Sequence, residues 1–218
     1  MPLSDHPPPP TPEEALQRLI DGNRRFQQNI ANLQARIFRP EMAERSPLPF
    51  AIVLGCSDAR TPVEILFDQG LGDLFVVRVA GNIVAPSIVG SIEFAAEQFG
   101  TRLVVVLGHT RCGAIAATLR AIRTGSGPGS KNLRSITDRI APHIQGLTTI
   151  EAEPGADPLQ LSRQATRANV RNSASHLRHA SQLLEEKVLS GHLVVVGAEY
   201  ELETGIVHFF DGTPKLSA

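Results

Sequence analysis

Both cysteines of this chain, Cys56 and Cys112, follow an apolar run and stand among polar residues. Phe50-Ala51-Ile52-Val53-Leu54 leads into Gly55-Cys56-Ser57-Asp58-Ala59-Arg60, and Leu103-Val104-Val105-Val106-Leu107 leads into Gly108-His109-Thr110-Arg111-Cys112. Two thiolates and an imidazole suit tetrahedral zinc and leave a fourth position for water or a carboxylate, of which Asp58 is the nearest. In an extended segment Cys56, Asp58 and Arg60 face the same side, because side chains alternate with period two. His109 and Cys112, three residues apart across a strand-to-helix turn, can grip one ion. A helix N-terminus at Cys112 also favours the thiolate. A lone buried cysteine is ordinarily a small hydrophobe, and an Asp near an Arg is ordinarily a surface ion pair. The joint pattern favours zinc over a structural pair or a disulfide. His6, His143, His176, His179, His192 and His208 are scattered and are expected at the surface or in packing.

These clusters need strands to carry them. Apolar runs at 50–54, 74–79, 102–107 and 193–196 alternate with helical patterns, and 205–210 alternates like an edge strand. Continuous Val/Ile/Leu strands separated by helices predict an α/β fold, with a mostly parallel sheet of about four strands plus an edge strand, covered on both faces. Thr11-Pro12-Glu13-Glu14 reads as a helix start with a capping box, and Leu16, Leu19, Ile20 and Phe26 follow at helical spacing. This N-terminal helix precedes the first strand, so it is expected either on a neighbouring subunit or on its own chain. Further helices are expected from Pro62, over 86–98, from the second cluster to Arg123, over 131–145, and as one long helix from Pro158 to just before Gly191. Residues 1–10, with four consecutive prolines, read as a disordered tail, and 11–218 as a single domain. Gly125–Gly129 reads as a flexible break and 151–158 as an acidic loop.

The chain has 218 residues, 42% hydrophobic and 20% charged, which is enough for one full core. A net charge of -1 offers no general attraction to nucleic acid or to an anionic membrane and argues for a small-molecule partner. No apolar run approaches the roughly 20 residues needed to cross a bilayer. Met1-Pro2-Leu3-Ser4-Asp5-His6 lacks a basic segment followed by an apolar one, so cytoplasmic residence is expected.

The two clusters, Cys56-Ser57-Asp58-Ala59-Arg60 and His109-Thr110-Arg111-Cys112-Gly113, resemble the Cys-x-Asp-x-Arg and His-x-x-Cys signatures of β-class carbonic anhydrases, bacterial branch. Glu64–Gly70, Asp73–Asn82 and Gly90–Phe94 extend the resemblance, which runs over residues 11–211. It implies one catalytic Zn²⁺ per chain on Cys56, His109 and Cys112. It also implies an Asp58–Arg60 pair that orients zinc-bound hydroxide for attack on CO₂, giving bicarbonate and a proton. Asp58 would be a fourth ligand at low pH and water would take that place at high pH. The resemblance assigns Phe75, Arg78, Phe94, Gly113 and Tyr200 to the substrate pocket or to anion binding, Arg78 having an ion pair at a strand end as its alternative. Some relatives bind inhibitory bicarbonate in a pocket of Trp, Arg and Tyr. Here Arg78 and Tyr200 match, but Val53 stands where the Trp would be, so no complete lock is expected. Arg45-Ser46-Pro47 lacks the Gln, and Phe94 replaces the Tyr, that other relatives present to substrate. A homodimer or homotetramer is implied, with the N-terminal helix over the neighbour. The alternatives are hydrolysis of carbonyl sulfide or carbon disulfide on the same scaffold, or a silent zinc-binding assembly module. Retention of Asp58 and Arg60 argues against the last.

Overall fold

The computed structural model describes residues 8–29, 47–149 and 158–215. Its centre is a sheet of five strands, β1 (Ala51–Gly55), β2 (Leu74–Arg78), β3 (Leu103–His109), β4 (Val194–Tyr200) and β5 (Val207–Asp211), in the order β2-β1-β3-β4-β5. The first four are parallel and β5 returns antiparallel along β4. The expected α/β architecture is therefore present. β1 and β3 are buried along their whole length, as unbroken apolar strands require. β4 runs four residues beyond the expected end, through Gly197-Ala198-Glu199-Tyr200. Glycine, alanine and glutamate are poor strand formers, and tertiary pairing overrides them here. Gly197 faces Val170 and Asp211 too closely for a side chain, and Glu199 pairs with Arg167 at 2.7 Å.

Helices α1 (Pro12–Gln27) and α2 (Val63–Leu66) cover one face of the sheet. α3 (Pro86–Gln98), α6 (Pro158–Arg178) and α7 (Gln182–Leu189) cover the other. α4 (Gly113–Thr124), α5 (Lys131–Ile144) and part of α6 enclose a third apolar cluster that contains both cysteines. The single helix expected from Pro158 to Gly191 is two. The chain breaks at His179–Ser181, where the Ser181 hydroxyl accepts the Leu184 amide and starts α7. Neither Gly nor Pro marks that break, so periodicity reads straight through it. Residues 1–7 of the expected tail, the 151–157 part of the expected acidic loop, and Arg45-Ser46 lie outside the described residues.

The N-terminal helix packs on its own chain, one of its two expected seats. Its capping box forms, Glu14 N–H to Thr11 Oγ1 at 3.2 Å and Thr11 N–H to Glu14 Oε2 at 2.8 Å. Its apolar stripe of Ala15, Leu16 and Leu19 is buried on this chain's own sheet beside Phe50 and Phe67. Side chains outside the stripe explain the choice. Asn23 donates to the carbonyls of Leu66 and Gly205 and accepts the Val207 amide, and Arg25 pairs with Asp68 at 2.6 Å. Gly22 lets the helix approach so closely that a Cβ there would sit 1.7 Å from the Phe67 carbonyl oxygen. Gly22→Ala is therefore expected to destabilise the fold by about 3 kcal/mol or more, read as a fall in the urea midpoint at unchanged m-value.

Candidate metal centre

β1 sends its chain to β2 on one side, while β3 lies on its other side, so the crevice at the carboxyl ends of β1 and β3 is a topological switch point. Open α/β sheets bind their ligands at such a place. Cys56 is the first residue beyond β1, His109 the last of β3, and Cys112 the N-cap of α4. Between the two, Arg111 takes a left-handed φ of 56°, the tight turn that brings His109 and Cys112 together.

The ligand atoms of Cys56, His109 and Cys112 lie within 4.8 Å of one another, with the sulfurs 4.0 Å apart. Tetrahedral zinc with Zn–S bonds of about 2.3 Å spaces two sulfurs by about 3.8 Å, so the set fits the ion. The two thiols are free, and 4.0 Å is far beyond a disulfide's length. His109 Nδ1–H donates to the Thr110 carbonyl at 2.9 Å, which leaves the lone pair on Nε2. That Nε2 is buried and has no hydrogen-bond partner among the described residues, as a metal ligand would. All three residues are buried, in apolar surroundings that strengthen any charge interaction. The hydrogen bond between the thiols lowers the Cys56 pKa and, with burial, raises that of Cys112.

Asp58 and Arg60 form a two-pronged pair, with Arg60 Nε to Oδ1 at 2.9 Å and Nη2 to Oδ2 at 2.7 Å, while the Arg60 amide also donates to Oδ1 at 2.9 Å. These bonds, the Arg60 side chain first, hold the Asp58 carboxyl well below the usual carboxylate range. Asp58 Oδ2 lies 3.9 Å from His109 Nε2, at the mouth of the ligand cluster. The segment is not extended as expected: it turns at Ala59–Arg60, with the Thr61 amide on the Asp58 carbonyl at 3.1 Å, and the two-pronged pair sets Arg60 against Asp58.

The five pocket residues scatter. Arg78 donates Nε to the Cys56 carbonyl at 3.0 Å and Nη2 to the Asp58 carbonyl at 2.6 Å, bracing the turn that carries the first ligand. Gly113, with Ala80 and Ala114, lines an apolar groove of about 450 Å³ between α4 and α5. Tyr200 is buried in the core on the α1 side, edge-on to Phe26, in the same cluster as Val53. Phe75 and Phe94 join Phe99 in an aromatic group at the β2 edge, with Phe94 half exposed. Phe75 pairs with Ile52, four residues before Cys56, or about 13 Å along the strand.

Three supports were not legible. Thr61, read as part of a helix start, turns its hydroxyl to the Asp58 carbonyl at 2.8 Å. Glu203 accepts from Arg111 Nε at 2.6 Å and Thr110 Oγ1 at 3.1 Å, pinning the second ligand turn from about ninety residues away. Asn169 reaches the back of the centre from α6. No local pattern marks Glu203 or Asn169, whose partners are so distant in sequence.

An α/β sheet bearing a Cys₂His centre with a carboxylate–guanidinium pair at its switch point defines the class of metalloenzyme to which comparison points. A family profile described as carbonic anhydrase matches residues 51–207. Carbonic anhydrase 2 of Mycobacterium tuberculosis is 34% identical over 210 residues, covering 91% of this chain and 92% of that protein. The carbonic anhydrase of Mycolicibacterium smegmatis is 36% identical over 207 residues, covering 92% and 94%. Among solved structures, a tetrameric β-carbonic anhydrase of Sordaria macrospora superposes with a TM-score of 0.69 at 22% identity, over 90% of this chain and 97% of that one. The chain belongs to the carbonic anhydrase family and has the β-class fold. Among the described residues no helix is long and apolar enough to cross a membrane.

Proposed function

We propose that this chain catalyses the reversible hydration of CO₂ to bicarbonate and a proton, with zinc held by Cys56, His109 and Cys112. The observation that carries the reading is the Asp58–Arg60 pair at the mouth of the ligand cluster, since a structural Cys₂His centre needs no such pair. When bound, zinc brings the pKa of water toward about 7 and so supplies hydroxide near neutral pH. Asp58 would accept a hydrogen bond from the nucleophile and so turn the nucleophile's lone pair toward the carbon of CO₂. Arg60 keeps Asp58 ionised and, by occupying both carboxylate oxygens, restrains it from closing on the ligand cluster. Arg78 and Thr61 hold the Asp58 carbonyl, and Thr110, Arg111 and Glu203 hold the second turn, so both halves are set before substrate arrives. Gly113 leaves the apolar groove beside α4 unobstructed for a small apolar substrate.

Stopped-flow CO₂ hydration with a pH indicator tests the reading on zinc-loaded protein. A rate well above buffer is expected, and none at any alkaline pH would overturn it.

Cytoplasmic residence fits two cysteines kept as thiols. Assembly as a homodimer or homotetramer is supported by the tetrameric relative and by the half-exposed Phe94 on the apolar helix α3. Phe94→Glu is expected to shift the protein to a smaller species in light scattering after size exclusion. An unchanged mass would remove Phe94 from the interface.

A further inference from the structure

The Cys56 sulfur accepts a hydrogen bond from a backbone amide far from it in the chain. Gly81, 25 residues from Cys56 in the short 3-10 turn Ala80–Asn82 after β2, donates its N–H to the sulfur at 3.4 Å.

The Gly81 backbone is held on both sides of its Cα for this contact. Its φ is +68°, and a Cβ would meet Ile140 Cδ1 at 2.9 Å and Ala114 Cβ at 3.0 Å, so glycine alone fits. Its carbonyl oxygen accepts the Asn169 side-chain amide at 2.8 Å. Asn169 sits on α6, 88 residues away, and is 1% exposed. The Asn169 side chain thus ties α6 to the turn after β2 across that distance in sequence.

We propose that Asn169 is a positioning residue for the metal centre, acting through the Gly81 carbonyl to aim the Gly81 amide at the Cys56 sulfur. A hydrogen bond to a thiolate withdraws charge from it, and partners one bond removed from a ligand commonly set metal affinity within 10- to 100-fold. Asn169 therefore tunes how much charge Cys56 gives to a bound ion and holds its sulfur in place. This rests on the assignment of Cys56, His109 and Cys112 as metal ligands.

The test uses the full chain loaded with Co²⁺, and with Zn²⁺ in competition with a chromophoric chelator, comparing wild type with the near-isosteric Asn169→Asp. That variant sets a carboxylate against the Gly81 carbonyl and removes the donor. With thermal unfolding verifying the fold, the sulfur-to-cobalt charge-transfer band is expected at longer wavelength, and Zn²⁺ affinity is expected to fall about 10-fold. A folded variant with the wild-type band and affinity would overturn the role of Asn169. If Asn169→Asp does not fold, Asn169→Ser, too short to reach Gly81, is read in the same way. In ¹¹³Cd-loaded wild type, scalar coupling between the metal and the Gly81 amide proton is expected, and its absence would overturn the inference for any variant. Wild type that takes up none of these ions would instead sink the ligand assignment itself.

Discussion

Cys112→Ser protein is expected to lose its zinc and, with it, on the order of 10⁴-fold or more of CO₂ hydration. The sulfur is 1% exposed in an apolar cluster with Ile83, Ile115 and Ile140, so water cannot substitute for it there. A serine hydroxyl does not ionise at neutral pH and is a hard, short donor. The site would keep one thiolate and one imidazole, with one negative charge fewer to offset Zn²⁺. Two readouts separate loss of metal from loss of fold. Metal analysis should show zinc near stoichiometric in wild type and far below it in the variant. Thermal unfolding should show a lower midpoint that added zinc no longer raises, since binding to the native state alone is what couples metal to stability. A variant with full zinc and full activity would remove Cys112 from the ligand set.

Asp58→Ala should separate the two halves of the site. It leaves Cys56, His109 and Cys112 in place, so zinc content is expected to stay near that of wild type, while kcat/KM falls about 10² to 10³-fold, the usual scale for removing one positioned hydrogen-bonding group from a transition state. That corresponds to about 3 to 4 kcal/mol of transition-state stabilisation. Loss of zinc along with activity would mark Asp58 as a resident ligand, and unchanged activity would leave it without a part in the reaction. Because Arg60 lowers the Asp58 pKa, this carboxylate is ionised throughout neutral pH. Any activity limb of wild type between roughly pH 5 and 8 therefore belongs to another group. Arg60→Ala leaves the carboxylate without its fork and is expected to cost less than Asp58→Ala while moving Asp58 toward the cluster.

Side chains chosen by local rules were readable before any fold was known. The capping box of α1, the span of α3 over 86–98, and the placement of both cysteines at strand ends all follow from patterns within a few residues. The misread elements had causes outside that range. The extension of β4 comes from pairing with β3 and β5 across residues of poor strand propensity. The break between α6 and α7 comes from one serine cap that periodicity cannot see. The seat of α1 on its own sheet, one of the two left open, comes from Gly22 and Asn23, whose partners are Phe67, Leu66, Gly205 and Val207.

Cys56 and Cys112 each follow an apolar run, and Asp58 and Arg60 stand at period-two spacing from Cys56. From the sequence alone these determine that two thiolates, an imidazole and a paired carboxylate meet at the carboxyl ends of neighbouring parallel strands. Such chemistry is written in residue type and short spacing. Only the tertiary structure decided which groups hold that arrangement still: Arg78 on the carbonyls of Cys56 and Asp58, Glu203 on the second ligand turn, and Asn169 on Gly81. Each bridges 20 or more residues to one or two backbone or side-chain atoms. A hydrogen bond of that kind depends on where the whole sheet sets its strand ends, which no local stretch of chain encodes.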